Sequence, residues 1–279
     1  MAITAADVAA LRKITGAGMM DCKKALVESD GDQEKAIEII RKKGQLIANK
    51  RADRTASEGC VLAKVSADGK TGVVAVLNCE TDFVAQNADF VKFTQDIVDA
   101  ALANNAADLQ ALLATKVGNI TVAEGVSDRM AAIGEKIELS FYQKIDAEKV
   151  VAYIHPGNRL ACVVGFNKDM ADAQVGKDVA MQVAAMNPIA VDKEFVDPAV
   201  IAKEREIAID QTKNDPKNAN KPANIIERIA EGKLEKFFKE STLLNQEFIK
   251  DGKLNVKQYI QAADKELNVT GFARYALAV

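Results

Sequence analysis

Two stretches of this sequence, 89 positions apart, follow one plan, and that plan limits the folds open to the chain. Residues 61–78 read VLAKVSADGKTGVVAVLN and residues 150–167 read VVAYIHPGNRLACVVGFN. They share Val61/Val150, Ala63/Ala152, Val74/Val163 and Asn78/Asn167. Each reads as strand, tight turn, strand, with Asp68-Gly69 in one turn and Pro156-Gly157-Asn158 in the other. Each is followed by a run with helical apolar spacing, 88–103 and 175–187. The shared order of elements carries more weight than four identities and predicts a duplicated ββα unit. A strand over 135–142 is expected to complete the first unit, and VTGFARYALAV near the C-terminus reads as a strand that needs the second unit's sheet.

Around this pair the chain is helical, so the expected class is α+β. Residues 4–46 read as three short helices. Thr4 is a plausible N-cap for the first, whose apolar face is Ala5, Val8, Leu11 and Ile14, and Gly16 and Gly18 end it. Asp21 is expected to cap the second helix, which carries Cys22, Ala25 and Leu26. Asp32 is expected to cap the third, with Ala36, Ile37, Ile40 and Leu46 on its buried side. The expected organisation is a three-helix domain over 1–46, an exposed and partly helical linker over 47–59, a core subunit over 60–142, a second one starting at 143–187 and closing at 241–279, and an insertion at 188–240. In that insertion two amphipathic helices flank the polar turn NDPKNAN, which suggests an antiparallel hairpin. Its apolar residues Val200, Ile207, Ile225, Ile229 and Leu234 either pack internally or dimerise.

Composition excludes several functions. With 279 residues, 48% hydrophobic and 28% charged, the chain has material for two or more folded domains. A net charge of −3 gives no broad basic surface, and without Trp an aromatic platform for single strands is not expected. Cys22, Cys60, Cys79 and Cys162 show no CxxC spacing and no neighbouring His, so no metal site is expected, and reduced thiols in a cytoplasmic protein account for them. No membrane-length apolar run or signal-peptide layout is read. A single histidine, His155, leaves little for His-based catalysis. The GKT of Gly69-Lys70-Thr71 lacks the first P-loop glycine, because Lys64 stands there, and it lies in a hairpin. Gly16-Ala17-Gly18 is not preceded by a strand, and Asp21 replaces the third glycine of a dinucleotide loop. No acid/base pair stands out among the carboxylates. The segment from Arg41 to Arg54 has six basic residues against one Asp, which reads either as a solvated helix end or as an RNA-binding stretch of a ribosome-associated module.

Two stretches remain. Asn78-Cys79-Glu80-Thr81-Asp82-Phe83-Val84-Ala85-Gln86-Asn87 joins a buried strand to a helix. There Phe83 either folds back into the core or stands out as a probe for another protein's pocket. In Thr15-Gly16-Ala17-Gly18-Met19-Met20-Asp21-Cys22-Lys23-Lys24-Ala25-Leu26, adjacent methionines open a helix. They read either as filling the three-helix core or as surface residues. Neighbouring helical positions do not face the same way, so if one is buried the other is exposed, and an exposed Met beside Lys23 and Lys24 suits an adaptable binding surface.

TGAGMMDCKKAL followed by TDFV after a strand resembles the bacterial elongation factor Ts family, and the resemblance runs nearly end to end, to VTGFARY. It implies a UBA-like N-terminal domain, a two-part core and an inserted coiled-coil hairpin of the dimerisation type. It also implies guanine-nucleotide exchange on the GTPase elongation factor Tu, without bond chemistry or a cofactor. By the same resemblance, Thr81, Asp82, Phe83 and Val84 reach the region of the partner's Mg²⁺ site. Met19, Met20, Lys23 and Lys24 touch its GTPase domain, and Tyr153, His155 and Arg159 touch another domain. A homodimer or 2:2 complex through the hairpin is a further implication. Some family members add a C-terminal helix after the VTGF strand; this sequence stops at Val279, so that contact is not carried over.

Overall fold

A computed structural model describes residues 3–51, 53–218 and 221–278, apart from the side chains of residues 45 and 47–50. Thr4 caps α1 (Ala5–Thr15) in a capping box: the Asp7 N–H donates to Thr4 Oγ1 at 3.2 Å, and the Thr4 N–H donates to Asp7 Oδ2 at 2.9 Å. Val8 and Leu11 are buried, whereas Ile14 borders a surface groove. Gly16 closes the helix in the left-handed conformation at φ 69°. Helix α2 (Met19–Glu28) starts before the expected cap. Gly18 is its N-cap, and Asp21 lies in the first turn, where its charge suits the helix N-terminus and pairs with Lys43. Helix α3 (Gln33–Lys50) begins after Asp32, whose Oδ1 accepts the Lys35 N–H at 3.1 Å. Leu11, Ala17, Cys22, Leu26, Ala36 and Ile40 pack into one small core.

Helix α3 continues into the span read as a partly helical linker, and the next strand starts inside that span at Glu58. One expectation fails along α3: Leu46, placed on the buried face, is 61% exposed. Helix α3 has 18 residues against 11 and 10 in the other two N-terminal helices, so its last turns run past them.

The first unit contains β1 (Glu58–Val65), β2 (Thr71–Cys79), α4 (Asp82–Ala85), α5 (Ala88–Ala103), α6 (Leu109–Ala114), β3 (Lys116–Val117), β4 (Ile120–Thr121), α7 (Val122–Ile133) and β5 (Glu138–Asp146). The second contains β6 (Lys149–Ile154), β7 (Leu160–Phe166), α8 (Ala173–Met186), α9 (Pro198–Lys213), α10 (Ala223–Ser241), β8 (Glu247–Phe248), β9 (Asp251–Asn255), α11 (Val256–Ala263) and β10 (Val269–Ala276). The mixture of helices with small antiparallel sheets is α+β. The main sheets are ordered β1-β2-β5 and β6-β7-β10, both antiparallel. In each, a hairpin is followed by helices, and a third strand then returns beside the second. Strand β5 begins three residues later than 135 and passes the expected boundary at 142. Pairing with β2 continues to Asp146, whose Oδ1 accepts the Thr71 hydroxyl at 2.8 Å.

The strand period of two sorts side chains between cores. Cys60, Leu62, Val73, Ala75 and Leu77 face α5 and α7, while Val61, Ala63, Val74 and Val76 face the other sheet. From that sheet come Val150, Ala161, Val163 and Ala273, and its opposite face (Cys162, Val164, Phe166) packs on α8 and α11. The layers run helix, sheet, sheet, helix. All three apolar pairs shared by the repeats lie at the inter-sheet core: five of the six residues are buried in it, and Ala152 packs against it. The fourth pair works at the strand ends. Asn78 Nδ2 donates to the Glu58 carbonyl at 3.1 Å, and Asn167 Nδ2 donates to the Glu266 carbonyl at 2.9 Å.

Helices α9 and α10 pack on each other, with Arg205 paired to Glu231 at 2.8 Å. The expected stripe is split. Leu234 is buried with Ala190, Val196 and Phe238, whereas Val200, Ile207 and Ile225 remain more than a third exposed.

Candidate functional site

Strand β2 is buried along nearly all its length and ends at Cys79, so the chain leaves the sheet from a fixed point. Burial, with the charges of Glu135 and Glu58 adding, pushes the Cys79 thiol up to about 12, and it stays protonated. The strand-to-helix corner read here holds a short helix of its own, α4, ahead of α5. Thr81 is its N-cap, accepting the Val84 N–H at 3.4 Å. Asp82 and Phe83 are its first two residues and face water, while Val84 and Ala85 turn back against the core of the first unit. Phe83 is 85% exposed, which settles its two readings in favour of a projecting ring.

Asn87 caps α5 by accepting the Asp89 and Phe90 N–H groups, so α4 and α5 follow in quick succession. Beside Phe83 a groove is lined by Ile14, Phe93, Arg129 and Ile133, and the Arg129 guanidinium lies 3.3 Å over the Phe93 ring. This groove shares Lys13, Gly16 and Asp89 with a second one, lined by Val8, Arg12, Met19, Met20 and Lys23. Of the two readings of the methionines, the one that has them fill the three-helix core fails: Met19 is 60% and Met20 64% exposed. They occupy the first two positions of α2, ahead of Cys22, Ala25 and Leu26, which reach the core. Lys23 and Lys24 are exposed as expected, though Lys24 does not line the groove.

Of the residues read from the second hairpin, Tyr153 half-packs into the core of the second unit, and its hydroxyl lies 3.0 Å from Nδ1 of the exposed His155. Arg159 is tied to the fold: it pairs with Glu58 and donates to the Ala278 carbonyl at 3.0 Å. The tip of this hairpin reaches the first unit, with the Val61 N–H donating to the Asn158 carbonyl at 2.7 Å. Asp82 and Arg159 therefore line one cleft, together with Gly157 and Asn158.

Three of the six basic residues of the 41–54 stretch pair within the molecule: Arg41 with Glu124 at 3.3 Å, Lys43 with Asp21, and Arg51 with Glu80 at 2.6 Å. Glu80 Oε1 also accepts the Lys136 N–H at 2.6 Å. That bond first, and Arg51 after it, holds the Glu80 carboxyl below the usual range. Glu135 was absent from the sequence reading of the site, where it opened a strand. In the structure it precedes β5, and its carboxylate accepts from the Glu80 and Thr81 N–H groups at 3.1 Å each and from the Thr81 hydroxyl at 2.7 Å. No local pattern links residues 80 and 135, so no motif would have found it.

Among the described residues no helix is long and apolar enough to cross a membrane, and no group of three or more His, Cys, Asp or Glu side chains is placed to hold a metal.

A family model described as elongation factor TS matches residues 80–278. The chain is 50% identical over 278 residues to elongation factor Ts of Porphyromonas gingivalis, covering 99% of both chains. It is 49% identical over 276 residues to that of Flavobacterium psychrophilum, covering 99% of this chain and 98% of the other. For Bacteroides fragilis elongation factor Ts the identity is 45% over 330 aligned residues, with 99% of each chain covered. Matched over nearly its whole length, the chain belongs to the elongation factor Ts family.

Proposed function

We propose that this protein is a translation elongation factor that promotes GDP release from elongation factor Tu, acting as an exchange factor and making or breaking no covalent bond. The observation that carries this reading is Phe83, an aromatic ring 85% exposed on a short helix whose other side is anchored in a buried sheet. A bare aromatic in water loses apolar burial that a partner's pocket restores. Asp82 beside it brings a carboxylate to the same contact.

Mg²⁺ in a GTPase bridges phosphate oxygens and demands near-octahedral geometry. A rigid ring and carboxylate inserted beside that site shift its surroundings and weaken metal and diphosphate together. The effect is reciprocal, because a bound factor that weakens GDP is itself weakened equally by GDP. Each ~1.4 kcal/mol of coupling is a tenfold change in affinity. Met19, Met20 and Lys23 line a groove continuous with the one beside Phe83, which supports a single contact surface for the GTPase domain. Tyr153 and His155 supply a second, separate contact. A homodimer through α9 and α10 rests on the exposed Val200, Ile207 and Ile225.

The test is stopped-flow release of a fluorescent GDP analogue from elongation factor Tu. Phe83→Ala should slow release about tenfold, while stability changes by less than about 0.5 kcal/mol because the ring touches little of its own fold. Unaltered release would overturn the reading.

A further inference from the structure

We propose that Glu135 is a positioning residue: its carboxylate latches the chain at Glu80 and Thr81 so that Phe83 projects in one direction. The proposal rests on the exchange reading above. An isolated helix shorter than about 12–15 residues is marginal in water, so the four residues of α4 do not hold their own direction. What fixes the helix is its attachment at each end. Behind it, Val84 and Ala85 rest on the core. In front, every donor of the incoming turn points at one side chain.

Glu135 Oε2 accepts the Glu80 and Thr81 N–H groups at 3.1 Å each, and Oε1 accepts the Thr81 hydroxyl at 2.7 Å. These are charge-assisted bonds, roughly twice as strong as neutral ones. The third has a further effect. A hydroxyl has one proton and two lone pairs. With its proton committed to Glu135, Thr81 Oγ1 turns a lone pair toward the Val84 N–H, which is the helix cap.

The grip is mutual. Glu80 Oε1 accepts the Lys136 N–H at 2.6 Å and pairs with Arg51 at 2.6 Å. Two adjacent residues after α7 and two after β2 thus exchange backbone N–H groups for carboxylates. Glu135 has three donors on its two oxygens, and among the described residues it belongs to no metal-binding group. Its chemistry is directed at the Phe83 turn.

The full-length protein tests this with elongation factor Tu loaded with fluorescent GDP, in a cycle of Glu135→Ala, Phe83→Ala and the double variant. Glu135→Ala should lower the saturating release rate about tenfold and leave the half-saturating concentration nearly unchanged, because a mispointed ring loses its effect after docking. Glu135→Gln should recover most of the rate: its oxygen still accepts the two N–H groups and its amide donates to Thr81 Oγ1. In the Phe83→Ala background, where release is expected to stay above the spontaneous rate, Glu135→Ala should cost far less than it does with Phe83 present, no more than Asp82 on the same helix still contributes. Additive loss in that background would show that Glu135 acts elsewhere and overturn the latch. Slowed Phe83→Ala beside a normal Glu135→Ala would overturn the latch alone, and a normal Phe83→Ala would overturn the exchange reading and the latch with it. Should circular dichroism show that Glu135→Ala does not fold, Glu135→Asp, whose carboxylate is set back by one methylene, takes its place in the cycle with the same outcomes.

Discussion

Phe83 and Glu80 stand three residues apart and show two ways a residue escapes simple rules. Phe83 is apolar and exposed; Glu80 is charged, yet its side chain is only 16% exposed. Both follow from the meeting of two turns, one after β2 and one after α7, whose backbone N–H groups need acceptors. Glu80 satisfies Lys136 and Arg51, and that anchoring lets Phe83 stand free. The Lys136 N–H lowers the Glu80 pKa in the folded state, so the stability it contributes is fully present above the unfolded value, near 4.3, and is lost as pH falls through the lower folded value. Nuclear magnetic resonance of the Lys136 amide should therefore report a transition below about pH 4.3. A transition above that value would mean that these bonds do not favour the charged carboxylate.

At the scale of elements, α3 and α7 decide how the N-terminal helices meet the core. They approach closely at Gly44: a Cβ placed there would lie 2.9 Å from Ala131 Cβ and 3.1 Å from the Ser127 carbonyl oxygen. On an exposed helix face, Gly→Ala stabilises by about 1 kcal/mol. Here the sign should reverse. Gly44→Ala is expected to cost about 1–3 kcal/mol and to speed hydrogen exchange in α7, measured by urea denaturation and mass spectrometry. A gain in stability would show that the helices separate easily. Around this contact Arg41 pairs with Glu124, and burial raises the Asp128 carboxyl above its ordinary range. The basic stretch that the sequence offered as an RNA contact thus has much of its charge engaged within the fold.

For the whole molecule, the inter-sheet core joins the two units. At Gly72 strand β2 lies close against the second sheet: a Cβ there would sit 2.5 Å from Val150 Cγ1 and 3.1 Å from Val163 Cγ1. Gly72→Val should force the sheets apart and lower stability by about 1–3 kcal/mol, read as a shift in the urea midpoint of the intact chain. An unmoved midpoint would mean that the layers slide without cost. The same packing brings the β6–β7 tip to the first unit, where Arg159 and Asp82 share a cleft although 77 positions separate them in the chain.

What the sequence alone determined is what local physics controls. Strand alternation, turn residues and helix periodicity set the two hairpins, α5 and the closing strand, because each depends on neighbours within a few positions. The repeat of Val61, Ala63 and Val74 at Val150, Ala152 and Val163 already encoded a shared buried face. Tertiary structure alone decided the rest. Met19 and Met20 both face water because the three-helix core is filled by others, and Leu46 is bare because α3 outruns its partners. Glu135 meets Thr81 only once β5 has paired with β2. Such contacts depend on what arrives from far along the chain, and no local pattern records that.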